Sequence, residues 1–205
     1  MYRVLTVGRE FGSGGAGIAK AAAERLGWRL LDNALVMQIA EAARVAPELA
    51  RRFDEQVDGW LHRVSRMALW HGGFEGVAAP EAANVFDART QASLAGSLIR
   101  EAHRQGECVV VGRAGQCILQ GEVDAFHVFV YAPWDQKVAR VKKRLGDGVD
   151  AAELIRVTDR MRSEYVRMNY GCNWKDPHLY HLMVSSCIGE EGAAAAILAA
   201  MGFGQ

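Results

Sequence analysis

The chain has 205 residues, of which 50% are apolar and 23% are charged, and this is the composition of an ordinary globular protein. Lysine plus arginine and aspartate plus glutamate both number 24, so the zero net charge gives no electrostatic basis for non-specific binding to nucleic acid or membranes. A chain of this size buries roughly 70% of its unfolded surface and needs no disulfide or metal to hold its core.

The four cysteines form no CxxC pair and show no zinc-site spacing. His178 and His181 with Cys172 make only a weak metal pattern, and we expect no metal ligands from the protein. The amino-terminal residues lead directly into a strand rather than a signal peptide, and no apolar segment is long enough to span a bilayer. We therefore expect a cytoplasmic protein.

Short apolar segments alternate with helical patterns along the first half of the chain. The predicted elements are a strand at 2–7, a helix at 18–26 closed by Gly27, a strand at 28–31, a helix that begins at Asn33, a helical region at 47–70 and a loop at 72–84.

The second half continues the alternation. Its predicted elements are a helix at 87–104, a buried strand at 108–111, a strand at 125–131, a basic helix at 134–144, a long helix at 151–170, a strand at 182–185 and a helix at 193–201. Such a succession predicts one α/β domain over 1–205, a three-layer arrangement in which helices cover both faces of a mostly parallel sheet.

A glycine-rich loop follows the first strand and opens the first helix. Backbone N–H groups and the helix dipole favour an anion at such a junction, and the lack of side chains lets a phosphate approach closely. The residues that we expect to hold the phosphate are Gly8, Gly12, Ser13, Gly14 and Gly15. The alternative is a flexible turn without a ligand.

Two phosphate-binding templates compete for this loop. Residues 12–17 read GxGxxG, and Asp32 follows twenty residues after Gly12, as in dinucleotide-binding folds. The longer distance from the strand favours a mononucleotide P-loop, yet that loop's lysine and following Ser/Thr are absent, and Gly15, Ala16 and Gly17 stand there. The loop alone fits neither template.

Later segments decide between the templates. The sequence VVVGR at 109–113 resembles the strand and Gly-Arg of cytidylate kinases, and DRMR at 159–162 resembles their D-R-x-R lid motif. Together with the opening GREFGSGG at 8–15, these segments resemble the cytidylate-kinase-like family over nearly the whole chain. Residues 44–90 contribute little to the resemblance.

The resemblance implies a P-loop nucleoside-kinase-like fold with an acceptor-binding helical region at about 33–105 and a helical lid at about 147–178. It implies that Arg113 grips the phosphate of the acceptor, that Arg160 and Arg162 reach over the transferring group, and that ATP and Mg²⁺ are used. Asp32 and Asp159 become candidates for contacts to the acceptor or a sugar.

The arginines also have a physical rationale of their own, because planar guanidinium groups suit the charge of a transferring phosphoryl group. Arg160 and Arg162 are two residues apart, so a regular helix points them to different sides. A solvated basic face is the alternative. Ala16 replaces the basic residue usual in the family, and Lys20, one helical turn further on, could compensate or be a surface lysine.

Three functions follow as hypotheses. The first is an ATP-dependent phosphotransferase, a kinase that acts on a small acceptor, a nucleoside monophosphate such as CMP. The second is a non-catalytic nucleotide- or phosphate-binding module, and the third is a dinucleotide-binding oxidoreductase. The expected partner is a small-molecule nucleotide, with no nucleic acid or membrane, and helices around Trp60 and Trp70 are candidates for pairing in a homodimer.

Overall fold

The computed structural model describes residues 1–32 and 85–203, with side chains from residue 92 in the second range. In these ranges the strands are β1 (Val4–Arg9), β2 (Arg29–Leu31), β3 (Cys108–Val111), β4 (Ala125–Tyr131) and β5 (Leu182–Ser185). The helices are α1 (Gly15–Leu26), α2 (Val85–Gln105), α3 (Gly115–Ile118), α4 (Trp134–Leu145), α5 (Ala151–Tyr170) and α6 (Glu190–Ala200). Two short 3₁₀ helices, Pro177–Leu179 and Ser186–Ile188, flank β5.

The five strands form one parallel sheet in the order β2-β3-β1-β4-β5. The chain passes from β1 outward to β2 on one side and later from β3 across β1 to β4 on the other. In an open parallel sheet this change of direction leaves a crevice at the carboxyl ends of the strands, which is where ligands bind. The crevice here lies at the end of β1.

Alternate residues of β1 face opposite layers, as the pleat requires. Leu5 and Val7 pack in one cluster with Ile18 of α1 and Ile197 of α6. Val4 packs on the other face with residues of α2 that include Ile99. The predicted three-layer α/β architecture is therefore confirmed.

The predicted bounds of β3, β4, β5 and α5 are those of the structure. α1 begins at Gly15, three residues before the predicted start, because the glycine loop itself enters the helix. α6 begins at Glu190 rather than 193. No sequence signal predicted α3, because four residues are too few to show a helical period. The predictions for 33–84 lie outside the described residues.

Within residues 1–32 and 85–203, no helix has both the length and the apolar character that crossing a membrane would demand.

A buried histidine joins the central strand β1 to β4. His127 Nδ1 lies 2.7 Å from the Thr6 hydroxyl, and the backbone N–H of His127 donates to Nδ1 of His181 at 2.9 Å. Burial, with the charge of His181 as a further cause, lowers the pKa of His127 from its ordinary 6.5 to about 4. The folded protein therefore holds this ring neutral where the unfolded chain would protonate it.

This arrangement predicts a loss of stability in acid. As the pH falls from 6.5 to about 4, protons bind the unfolded chain in preference, so the contribution of His127 to the free energy of unfolding falls by up to about 3 kcal/mol. We expect His127→Gln to lose correspondingly less stability than the wild type in urea titrations across this range. Exposed His178→Gln is the control, and equal pH slopes in all three proteins would contradict the prediction.

Candidate phosphate-binding site at the glycine loop

The glycine loop is closed by hydrogen bonds of its own. The buried Ser13 hydroxyl donates to the carbonyl oxygen of Glu10 at 2.8 Å and lies 3.3 Å from the amide nitrogen of Gly15. Gly14 adopts φ 81° immediately before α1, a conformation that favours glycine. The first amides of α1 are thereby presented at the carboxyl edge of the sheet, which is a favourable place for an anion.

Two helices hold the loop from outside. The Phe11 ring is buried in a cluster with Val141 of α4 and Ile155 of α5. The guanidinium of Arg140 donates to the carbonyl oxygen of Ser13 at 3.2 Å and to the Ser186 hydroxyl at 2.9 Å. The region predicted as a lid is thus packed against the loop through the amino-terminal half of α5.

A buried ammonium group connects the loop to both helices. Lys137 Nζ of α4 lies 3.0 Å from Glu10 Oε2 and 3.5 Å from Asp159 Oδ2, and Lys175 bonds to the other oxygen of Glu10 at 2.5 Å. Asp159 Oδ1 accepts the backbone N–H of Phe11 at 2.7 Å. Asp159, predicted as a substrate contact, is therefore engaged by the protein itself.

The two carboxyl groups respond oppositely to this environment. Burial alone would raise the pKa of Glu10, but hydrogen bonds and charges from Lys175 and Lys137 lower it below its ordinary value. Burial dominates at Asp159 and raises its pKa, although the N–H of Phe11 and the charges of Lys137 and Arg162 oppose that rise. Glu10 is thus the carboxylate that is held firmly charged.

The structure separates the two arginines of the predicted lid motif. Arg162 donates to the carbonyl oxygen of Arg9 at 2.9 Å, and its guanidinium lies 5.6 Å from the centre of the Phe11 ring. Arg160 is exposed on α5. The two therefore occupy different sides of the helix, as their spacing predicts.

Arg113 lies in a strained turn directly after β3. Arg113 and Ala114 have φ values of 50° and 58°, in the left-handed region that non-glycine residues seldom adopt. The guanidinium lies 5.6 Å from the centre of the Tyr165 ring, and Nε is buried without a hydrogen-bond partner among the described residues. A buried donor in this state calls for a hydrogen-bond partner outside the described residues.

Asp32 and Gly8, two further residues of the predicted site, lie at the carboxyl edge of the sheet. Asp32 is half-buried after β2, but β3 lies between β2 and β1, so Asp32 is not on the strand next to the glycine loop. This disagrees with the dinucleotide fold, in which the second strand adjoins the first. At Gly8 a Cβ atom would lie 3.1 Å from the Tyr180 hydroxyl, so that side is occupied by packing.

The loop does not fit a magnesium ion through its own side chains. Ala16 offers no oxygen at the start of α1, and the Ser13 hydroxyl is buried and bonded within the loop. The carboxylates of Glu10 and Asp159 are ion-paired with Lys137. Among the described residues, three potential metal ligands meet at His103, Glu122 and Asp124, and the last of these precedes β4 at the opposite edge of the sheet.

Sequence reasoning missed the residues that hold the loop: Arg9, Glu10, Lys137, Arg140 and Lys175. A signal was present for two of them. Lys137, Arg140 and Arg144 are spaced i, i+3 and i+7, so they share one face of the predicted basic helix. That face is the one turned toward the loop, where Arg144 lies 5.2 Å from the Phe11 ring centre.

The sequence model of the cytidylate kinase-like family matches residues 4–187. No curated protein matches the chain. Among solved structures, one similar fold is that of an uncharacterized protein from Eubacterium ventriosum, with 22% identity, a TM-score of 0.62 and coverage of 98% of this chain and 97% of that chain. Another is shikimate kinase from Bacteroides thetaiotaomicron, with 14% identity, a TM-score of 0.51 and coverage of 96% of each chain. The fold is therefore one shared with a kinase.

Glycines 15 and 17 provide a matched pair of substitutions in α1. A Cβ at Gly15 would lie 2.6 Å from Arg9 Cβ, whereas one at Gly17 would meet only the flexible, exposed carboxylate of Glu190. Gly15→Ala should lower the free energy of unfolding by about 1–3 kcal/mol through overpacking. Gly17→Ala should leave it unchanged or raise it by up to about 1 kcal/mol. Chemical denaturation measures both, and equal effects would contradict the steric argument.

Removal of the buried ammonium group should also destabilise the protein. Lys137→Met leaves two carboxylates close together without their shared cation, and we expect a loss of about 3 kcal/mol in the free energy of unfolding. Lys142→Met, on an exposed position of the same helix, is the control. Addition of Asp159→Asn to Lys137→Met should recover part of the loss. A Lys137→Met protein as stable as the control would exclude this role.

Proposed function

Because the chain belongs to the cytidylate kinase-like family, we propose that it is a phosphotransferase that moves the terminal phosphoryl group of ATP to a small acceptor, a nucleoside monophosphate such as CMP. The bond from the terminal phosphorus to the bridging oxygen of ADP breaks. A bond from that phosphorus to a phosphate oxygen of the acceptor forms, and ADP leaves.

The observation that carries the proposal is the position of Arg113. The N–H of Gly112 donates to the carbonyl oxygen of Val7 at 3.0 Å, so the turn that bears Arg113 lies beside the end of β1 and the glycine loop. The glycine loop and an arginine whose buried Nε has no partner among the described residues thus meet in the crevice of the sheet. Phosphoryl transfer requires two phosphates to be held adjacent and their charge to be neutralised.

In this proposal the loop from Gly12 to Gly15 and the first amides of α1 bind the phosphates of the donor. Arg113 binds the acceptor phosphate, and Arg162, which already contacts the loop, neutralises charge on the transferring group. Arg160 is exposed on the same helix, and an Arg160→Ala variant beside Arg162→Ala would show whether it contributes. Mg²⁺ supplies charge neutralisation when it is bound to the triphosphate, and no described residue is assigned to hold it.

A second candidate is a nucleotide-binding module without catalysis. Gly15 and Ala16 favour it, because they stand in place of the lysine and the hydroxyl that P-loop kinases use.

Thermal-shift titrations with ATP, ADP, CMP and NAD, each with and without Mg²⁺, should show stabilisation by ATP or CMP but not by NAD. A phosphotransfer assay over a panel of acceptors then separates the candidates. Binding of ATP without turnover on any acceptor would favour the second.

Arg113→Ala tests the acceptor role directly. Loss of a positioned cation should reduce turnover by about 10²–10³-fold, because the variant neither holds the acceptor phosphate nor neutralises its charge. Arg104→Ala is a matched control, since Arg104 is exposed on α2 and paired with Glu101. Turnover of Arg113→Ala equal to that of the control would remove Arg113 from the proposed mechanism.

A further inference from the structure

The glycine loop has no side-chain charge at the start of its helix. P-loop kinases place a lysine there, one that reaches the phosphates of the bound nucleotide. In this chain Gly15 and Ala16 occupy the corresponding positions. The charge that the lysine supplies must then come from another part of the molecule, if the site binds a polyphosphate.

The space beside Gly15 is filled by the side chain of Arg9. A Cβ atom on Gly15 would lie 2.6 Å from Arg9 Cβ and 3.0 Å from Arg9 Cγ. The stem of Arg9, which projects from the last residue of β1, therefore runs past the first residue of α1. A lysine at position 15 and an arginine at position 9 exclude each other sterically.

The other end of the same side chain reaches the turn after β3. A Cβ atom on Gly112 would clash with Arg9 Nη1 and lie 3.1 Å from Arg9 Cζ, so the guanidinium lies against the backbone of Gly112. Arg113, the proposed ligand of the acceptor phosphate, is the next residue. The side chain of Arg9 thus spans from the donor loop to the acceptor turn.

We propose that Arg9 supplies, from the end of β1, the cationic phosphate ligand that P-loop kinases carry as a lysine in the loop itself. This rests on the proposed function in that its ligand is the polyphosphate of the donor nucleotide. A planar guanidinium offers paired N–H donors to phosphate oxygens. Arg162 fixes the backbone of the same residue through its bond to the Arg9 carbonyl oxygen.

Two other cationic side chains near the loop, those of Lys20 and Lys137, are paired with carboxylates of the protein. Lys20 is largely exposed, with 67% of its side chain accessible, and pairs with Glu24 on the surface of α1. Lys137 is buried between Glu10 and Asp159. Of these cationic side chains, that of Arg9 is the one that lies between Gly15 and Gly112.

Binding of inorganic tripolyphosphate, measured by isothermal titration calorimetry, tests the proposal without an acceptor or a base. Arg9→Gln keeps part of the stem and removes the charge, and it should weaken binding about 10- to 100-fold, as the loss of a charged hydrogen bond does. Arg9→Lys should retain most of the affinity. The controls are Lys20→Gln and Arg3→Gln, and both variants should bind tripolyphosphate like the wild type. Arg3 immediately precedes Val4, at the end of β1 opposite to Arg9.

A relocated lysine gives a second readout. Arg9→Gly removes the Cβ that blocks position 15, so a Gly15→Lys change in that background should recover affinity relative to Arg9→Gly alone. Melting temperatures establish that each variant is folded. An Arg9→Gln protein that binds tripolyphosphate as the wild type does, or a wild type that does not bind it, would overturn the proposal.

The outcome is separable from that of the proposed function. Suppose that Arg9→Gln loses tripolyphosphate binding and that the wild type transfers phosphate to no acceptor. The first result would support Arg9 as an anion ligand, and the second would count against the kinase. Normal phosphotransfer and unchanged binding in Arg9→Gln would leave the kinase intact and exclude Arg9.

Discussion

One buried ammonium group, that of Lys137, connects the parts from which the site is built. It lies between a carboxylate of the glycine loop, Glu10, and a carboxylate of α5, Asp159, while its own backbone belongs to α4. Burial of a charge is costly unless its partners are close, so the three groups stabilise one another only in this arrangement. The loop is therefore held by helices that follow it by more than a hundred residues. A loop held in this way would need little reorganisation to bind the proposed anion.

The same constraint explains the D-R-x-R segment in structural terms. Asp159 and Arg162 are three residues apart and lie on one side of α5. Asp159 accepts the backbone N–H of Phe11, and Arg162 donates to the backbone carbonyl oxygen of Arg9. One acidic and one basic side chain thus satisfy opposite polar groups of the loop backbone. Arg160 falls on the exposed side, so the two arginines of the motif have different surroundings.

Several glycines of the site provide space for a neighbouring residue. At Gly12 a Cβ atom would lie 3.0 Å from the carbonyl oxygen of Lys137, which allows α4 to approach the loop. Gly15 and Gly112 leave room for the two ends of the Arg9 side chain. The glycines predicted to bind phosphate are in this structure also sites of close contact, so their identity depends on partners distant in the chain.

Most of the fold was determined locally by the sequence. The apolar runs of β3, β4 and β5 and the periodicity of α5 predict the observed bounds, because burial selects hydrophobic residues at the period of each element. The glycine loop and the α/β architecture followed from the same signals, and the Gly-Arg element after β3 followed from the family resemblance. α3 was missed, since one helical turn has no measurable period.

The tertiary structure decided the roles of individual charges. The sequence predicted a substrate contact for Asp159, and the fold shows that its carboxylate accepts the Phe11 N–H and lies beside Lys137. The sequence assigned no role to Arg9 or Lys137. The packing of α4 and α5 brings Lys137 to Glu10 and Asp159, and the approach of α1 and of the turn after β3 sets the surroundings of Arg9. Local patterns record whether a side chain is buried and on which face it lies. Which opposite charge it meets depends on strand order and helix packing, and these join residues far apart in the sequence.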